Sequence, residues 1–239
     1  MTLLLNCDLG ESFGNYSIGA DDAILPLIDQ ANVACGFHAG DARVMDLTCA
    51  RAAELGIQIG AHVGYRDLAG FGRRYIDYVP AELTAEVIYQ IGALQAMAKS
   101  HGAAVTYVKP HGALYNTIAQ GGPQAEAVIE GILRADENLT LMGLAGSPIL
   151  ELAQSRGLST FAEAFADRAY TKDGTLSSRR LEGSVLNEED GVKQALAIAA
   201  GTPFRTIEGE EIVLQADSLC VHGDSPEALA MVRSIRAAL

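Results

Sequence analysis

The stretch Ala34-Cys35-Gly36-Phe37-His38-Ala39-Gly40-Asp41 decides how this chain folds. A short apolar run stops at a glycine, presents a histidine and then reaches an aspartate placed to cap a following helix. That is the profile of the carboxyl end of a parallel strand, where a rigid scaffold positions a loop whose polar side chains stay outside the core. The same arrangement recurs along the chain. Asn6-Cys7-Asp8-Leu9-Gly10-Glu11, Gly60-Ala61-His62-Val63-Gly64-Tyr65-Arg66-Asp67, Val108-Lys109-Pro110-His111-Gly112 and Cys220-Val221-His222-Gly223-Asp224 each follow an apolar run. Together these loops predict the rim of one active site.

Outward from that stretch, short apolar strands alternate with amphipathic helices, the pattern of a parallel sheet wrapped by helices. Strands are expected at 3–7, 31–35, 57–61, 105–108, 139–144, 159–165 and 218–221. Helices are expected at 21–30, at 42–55 between the Asp41 cap and Gly56, and at 80–100 from Pro80. Further helix is expected as far as 135, then from Ser147 to 156, at 188–200 and at 225–238. A small hairpin insertion near 202–215 turns at Glu208-Gly209-Glu210. Seven βα units with polar clusters at nearly every strand end predict a TIM-like (β/α) barrel of seven strands; an open sheet would gather its polar residues at one switch point. The whole chain, 1–239, reads as a single domain.

Composition excludes several classes of partner. The chain has 239 residues, 49% of them hydrophobic, and a formal net charge of −13. Without a run of lysines and arginines, nucleic acid and anionic membranes are not expected partners. No apolar stretch approaches the roughly 20 residues of a membrane span, and the first residues run directly into a strand, so a cytoplasmic location is expected. The four cysteines, at 7, 35, 49 and 220, lack C-x-x-C spacing and read as buried reduced thiols.

Four of the five histidines, His38, His62, His111 and His222, fall at predicted strand ends; His101 sits instead at a helix end before Gly102. With Asp8, Glu11, Asp41, Asp67, Lys109, Asp167 and Arg168 nearby, they form a constellation suited to acid–base chemistry. Asp8, Glu11, His38, His62, Lys109 and His111 are the catalytic candidates. Asp41, Arg73, Asp167, Arg168 and His222 are the candidates for binding substrate, and Arg73 and Arg74 also suit a lid formed by the loop 65–79. Asp8 with two histidines would make a metal-ligand set. Against a metal, H-E-x-x-H and H-x-H are absent, and the Lys109 ammonium stands two residues from His111. The question of a metal stays open. No phosphate-loop motif is present, since Gly143-Leu144-Ala145-Gly146-Ser147 lacks the lysine that such a loop uses.

Several blocks resemble the LamB/YcsF family: Asn6-Cys7-Asp8-Leu9-Gly10-Glu11, Asn32 through Asp41, Gly70-Phe71-Gly72-Arg73, Val108 through Asn116, Phe165-Ala166-Asp167-Arg168 and His222-Gly223-Asp224. The resemblance runs nearly end to end. It implies a seven-stranded α/β barrel similar to the glycoside hydrolase/deacetylase superfamily. It also implies the part of the A subunit in a bacterial ATP-dependent 5-oxoprolinase, which opens 5-oxo-L-proline to L-glutamate together with subunits B and C. On that reading ATP is used by the complex and held mainly by the partners, because this chain lacks a phosphate loop. A homo-oligomer stays open. The alternative is a metal-dependent hydrolase or deacetylase of carbohydrate amides, and a third reading is a non-catalytic subunit that stabilises its partners.

Overall fold

A computed structural model describes residues 3–221 and 226–239, with the backbone alone for 226–228. The chain runs β1 (Leu4–Leu9), α1 (Asp21–Ile24), β2 (Gln30–Ala34), α2 (Ala42–Leu55), β3 (Gln58–His62), α3 (Pro80–Ser100) and β4 (Val105–Val108). It continues with α4 (Gly112–Ala119), α5 (Pro123–Ala135), β5 (Thr140–Leu144), α6 (Pro148–Ser155), β6 (Ser159–Phe165) and α7 (Glu188–Ala200). β7 (Phe204–Arg205), β8 (Glu211–Ile212), β9 (Ser218–Cys220) and α8 (Pro226–Ala238) complete it. The strands β1, β2, β3, β4, β5, β6 and β9 form a closed, wholly parallel barrel, with β9 joining β6 to β1. β7 and β8 make the expected antiparallel hairpin beside it.

The local chemistry of the chain accounts for the element ends. Asp41 accepts a hydrogen bond from the Val44 amide at 2.9 Å and caps α2, and Gly56 closes that helix in the left-handed conformation. Asn187 caps α7 by accepting from the Asp190 amide, and Glu188, Glu189 and Asp190 fill its first turn, where the helix dipole favours negative charge. Two expectations need correction. The helix expected at 21–30 stops at Ile24 and gives way to a 3-10 turn over Leu25–Leu27, because Pro26 cannot continue an α-helix. Gln30 consequently begins β2. The helix expected to reach 135 is broken at Gly121 and Gly122, both in left-handed backbone, and restarts at Pro123.

Strand alternation gives the barrel two different faces. Leu5, Cys7 and Leu9 of β1 and Ala31 and Val33 of β2 join the apolar cluster packed with the helices. The alternate residues point inward and are polar, whereas barrel interiors are usually filled by branched apolar side chains. Gln30 accepts from Ser218 Oγ at 2.7 Å, Ser218 Oγ accepts from Asn6 Nδ2 at 2.7 Å, and Asn6 Oδ1 accepts from Asn32 Nδ2 at 2.8 Å. Tyr107, fully buried, donates to Asn32 Oδ1 at 2.7 Å. Every bond in this column joins different strands, so it fixes barrel register as well as satisfying buried polar groups. All four cysteines are free and buried, as expected, and burial pushes their thiols up, Cys49 to about 12. Among the described residues no helix is long and apolar enough to cross a membrane.

The Tyr107 ring fits only because β3 carries Gly60 opposite it. A Cβ on Gly60 would lie 2.1 Å from Tyr107 Cε2, which neither rigid ring nor barrel wall can relieve. Gly60→Ala is expected to destabilise the chain by about 1–3 kcal/mol, the usual range for overpacking a filled core. A lower urea midpoint at unchanged slope checks this, and an unmoved midpoint would show that Tyr107 is free to shift.

Candidate active site

At the carboxyl end of the barrel the inward-facing polar column becomes charged. Lys109, just past β4, is buried and its Nζ lies 2.9 Å from Asp8 Oδ1 and 2.7 Å from Glu163 Oε1. It also donates to Asn6 Oδ1 and to Cys220 Sγ, each at 3.2 Å. Burial by itself would discharge this ammonium, but the carboxylates, Asp8 foremost, hold its pKa well above that of an ordinary lysine. Cys220 in turn stays a thiol, since burial pushes it far up despite the neighbouring lysine.

Glu163 is the residue that sequence reading missed. It sits fully buried in the middle of β6, two residues from Phe161 and two from Phe165. The available signal was a lone carboxylate on the inward period of an otherwise apolar strand. It also removes the objection to a cation raised by Lys109: that charge is turned toward Asp8 and Glu163.

Beside the ion pair stand three of the four rim histidines. His62 ends β3 and its Nδ1 lies 2.9 Å from the Lys109 carbonyl. His111 precedes α4 and its Nε2 lies 2.9 Å from the Phe71 carbonyl. A carbonyl only accepts, so each of those nitrogens carries the proton and the opposite nitrogen of each ring is left with its lone pair when neutral. Those opposite nitrogens, His62 Nε2 and His111 Nδ1, meet at 2.9 Å. Asp8 Oδ2 is 3.2 Å from the first and Glu11 Oε1 is 3.8 Å from the second. His38, fully buried, stacks on His111 with centroids 3.8 Å apart and planes 8° apart; its Nε2 lies 3.5 Å from Glu11 Oε1. Burial, followed by the other imidazoles, drives the proton affinity of His38 and His111 well below the usual histidine value. One donor atom from each of Glu11, His38, His62 and His111 lies within 4.8 Å of the others, a spacing at which a metal ion can be held.

The loop expected to cover the site supplies its ceiling. Phe71 has φ 55°, the sole non-glycine residue in left-handed backbone among those described, and this conformation aims its carbonyl at His111. Gly72 follows with φ 63°, and a Cβ there would fall 2.7 Å from His38 Cβ and 2.8 Å from His111 Cδ2. The loop thus closes directly on the stacked rings. Its base is held by Asp67, which accepts from the Gly70 amide and pairs with Arg74.

A cavity of about 780 Å³ opens beside the cluster, within the usual range for small-molecule sites. Asp8, Glu11, His62, Lys109 and His111 line its floor, and Arg73, Arg168, Arg179 and Arg180 line its walls. The remaining candidates lie elsewhere. His38 is behind His111 and not on the cavity wall. Asp41 spends Oδ1 on the α2 cap and Oδ2 on the Gly14 amide at 2.7 Å, so its sequence position marks a structural carboxylate outside the cavity. Asp167 is buried next to Arg168 and does not line the cavity. Arg168 reaches the wall with its guanidinium bonded to the Ser177 carbonyl at 2.6 Å. His222 lies outside the described residues. His101 pairs with Asp46 at 2.7 Å and takes no part in the cluster, as expected.

Lys109→Met leaves the carboxylates of Asp8 and Glu163 facing each other without their cation. Removing one partner of a buried ion pair costs roughly 3–5 kcal/mol, so a drop of that size in unfolding free energy is expected, with partial recovery on adding Glu163→Gln. Equal stability of the single and double variants would break the proposed coupling.

The family model described as LamB/YcsF family matches residues 3–239. The chain is 56% identical over 235 residues to the 5-oxoprolinase A subunit of Corynebacterium glutamicum (strain R), covering 98% of this chain and 93% of that protein. It is 55% identical over 236 residues to the 5-oxoprolinase A-subunit 3 of Pseudomonas syringae pv. tomato, covering 98% and 92%. Among solved structures, the lactam utilization protein from Thermus thermophilus superposes with a TM-score of 0.94 at 39% identity, covering all of this chain and 96% of the other. The barrel, the rim and these likenesses agree, and the chain belongs to the LamB/YcsF family.

Proposed function

We propose that this chain is the lactam-opening subunit of a 5-oxoprolinase, which in complex with subunits B and C converts 5-oxo-L-proline to L-glutamate as ATP is hydrolysed. The reading is carried by near full-length identity to proteins named as 5-oxoprolinase A subunits. The charged cavity at the barrel mouth supplies chemistry that the reaction requires. A five-membered lactam is a resonance-stabilised amide, so its carbonyl must be made electrophilic and its nitrogen protonated as it leaves. Phosphoryl transfer from ATP to the lactam oxygen achieves the first. We assign ATP to the partners, because the sequence carries no phosphate loop.

Asp8 or Glu11 then takes a proton from water as the water oxygen bonds to the lactam carbon. The ring C–N bond breaks, and the nitrogen receives a proton from the carboxylic acid so formed or from an imidazole of the cluster. The open-chain acyl phosphate that remains is hydrolysed to glutamate and phosphate. Arg73, Arg168, Arg179 and Arg180 suit the substrate carboxylate and the phosphoryl oxygens, since a guanidinium offers paired donors to both. Lys109 holds Asp8 in place through their ion pair.

Two outcomes are expected. The purified chain alone turns over neither ATP nor 5-oxoproline, and activity appears when subunits B and C are added; robust turnover by the isolated chain would end the division of labour. Asp8→Asn, which keeps size and hydrogen-bonding capacity but loses basicity, is expected to reduce glutamate formation by about a hundredfold to ten-thousandfold while ATP is still consumed. Glutamate and phosphate measured side by side in the reconstituted complex decide this. Near-normal glutamate release from folded Asp8→Asn protein shifts the base to Glu11.

A further inference from the structure

When both rings are neutral, the paired imidazoles set two lone pairs against each other. His62 donates Nδ1–H to the Lys109 carbonyl and His111 donates Nε2–H to the Phe71 carbonyl. Their other nitrogens, both acceptors when the rings are neutral, stand 2.9 Å apart. Two lone pairs at that distance repel unless a cation lies between or against them. We propose that His62 Nε2 and His111 Nδ1, flanked by the carboxylates of Asp8 and Glu11, bind one divalent first-row transition-metal ion.

Three features of the geometry favour a metal ion over a proton. First, the two rings are inclined at 86°, so both lone pairs can point in-plane at one ion. Bonds of about 2.0–2.2 Å meeting near a right angle put two ligand atoms roughly 3 Å apart, which matches the observed separation. Second, both distal N–H groups are fixed on backbone carbonyls, the arrangement by which metal-ligating histidines are held in one tautomer. Third, Asp8 Oδ2 at 3.2 Å from His62 Nε2 and Glu11 Oε1 at 3.8 Å from His111 Nδ1 bring anionic oxygens to either side, which a single proton does not need. Among metals, the imidazole pair selects zinc, iron, nickel or copper over magnesium and calcium, which prefer all-oxygen sites.

The same geometry removes His38 from the ligand set. Its ring is parallel to that of His111 and stacked on it, so a point in the plane of one ring lies well out of the plane of the other. His38 Nε2 instead lies toward Glu11 Oε1 at 3.5 Å, and Gly64 and Gly72 close against the ring. His38 is therefore a positioning residue that holds the His111 plane. An ion bound at His62 and His111 would add positive charge at the cavity floor, where it polarises a carbonyl oxygen. The proton for a departing nitrogen then comes from the carboxyl group, the first of the two donors named above. The site stands whether or not the substrate is 5-oxoproline, and its tests read the ion itself.

Chelator-treated wild-type protein is titrated with cobalt(II) and, in parallel, with zinc(II). The expected result is one equivalent bound by calorimetry, with visible cobalt absorption bands that zinc abolishes by competition. His62→Ala and His111→Ala are each expected to weaken binding by about a hundredfold or more, whereas His38→Asn retains one equivalent and His101→Ala behaves as wild type. Loss in His38→Asn equal to that in His111→Ala overturns the ligand assignment. If the alanine variants fail to fold, nitrogen NMR of wild-type imidazoles decides: zinc is expected to shift His62 Nε2 and His111 Nδ1 and to leave their N–H partners in place. No binding of either ion to folded wild-type protein at millimolar concentration, with a proton shared between the two rings, overturns the metal site.

Discussion

Lys109 carries a full charge into a nearly buried site at the floor of the cavity, and the barrel mouth is arranged around that fact. An ammonium in such a place survives only if oppositely charged groups surround it, and here Asp8 from β1 and Glu163 from β6 do so at 2.9 and 2.7 Å. Because the three groups come from separate strands, the pair ties together parts of the barrel wall that are not adjacent in sequence. Asn6 and Cys220 complete the shell, which links β9 as well. An apolar core of similar volume would hold the fold equally well, so the polar filling is better explained by what it positions than by stability.

What it positions is the histidine group. The Lys109 carbonyl orients His62, so a residue whose side chain balances the carboxylates also sets an imidazole through its backbone. Phe71 orients His111 from the opposite side, and the left-handed backbone at Phe71 is the strain accepted for that contact. The stacked His38 leaves His111 a single available plane. Side chains locked on two sides in this way have little freedom to reorganise during a reaction, which is the condition under which charged groups act most strongly on developing charge.

The arginines distinguish the cavity from its surroundings. The chain is acidic overall, with a formal net charge of −13, yet four guanidiniums line this one wall. Positive charge focused in a cleft of an otherwise negative surface draws small anions inward and discourages polyanions elsewhere. Arg168 is held by backbone carbonyls of the segment after β6, which keeps its charge at the wall without neutralising it.

The order of elements and the position of the rim were legible in the sequence, because both depend on local patterns. Strands 105–108 and 159–165 and helices 42–55, 80–100 and 188–200 follow from hydrophobic period, caps and proline, and the structure has them at those bounds. The helix expected at 21–30 ends early because Pro26 breaks it. The rim was legible as a set of residue types at strand ends, and the structure brings Asp8, Glu11, His62, Lys109 and His111 of that set onto one cavity. Only the tertiary structure decided that Asp41 caps a helix, that His38 lies behind His111, and that Glu163 faces Lys109. Those outcomes depend on barrel closure and strand register, which bring residues 54 positions apart to 2.7 Å, and no local sequence pattern encodes a distance across a closed sheet.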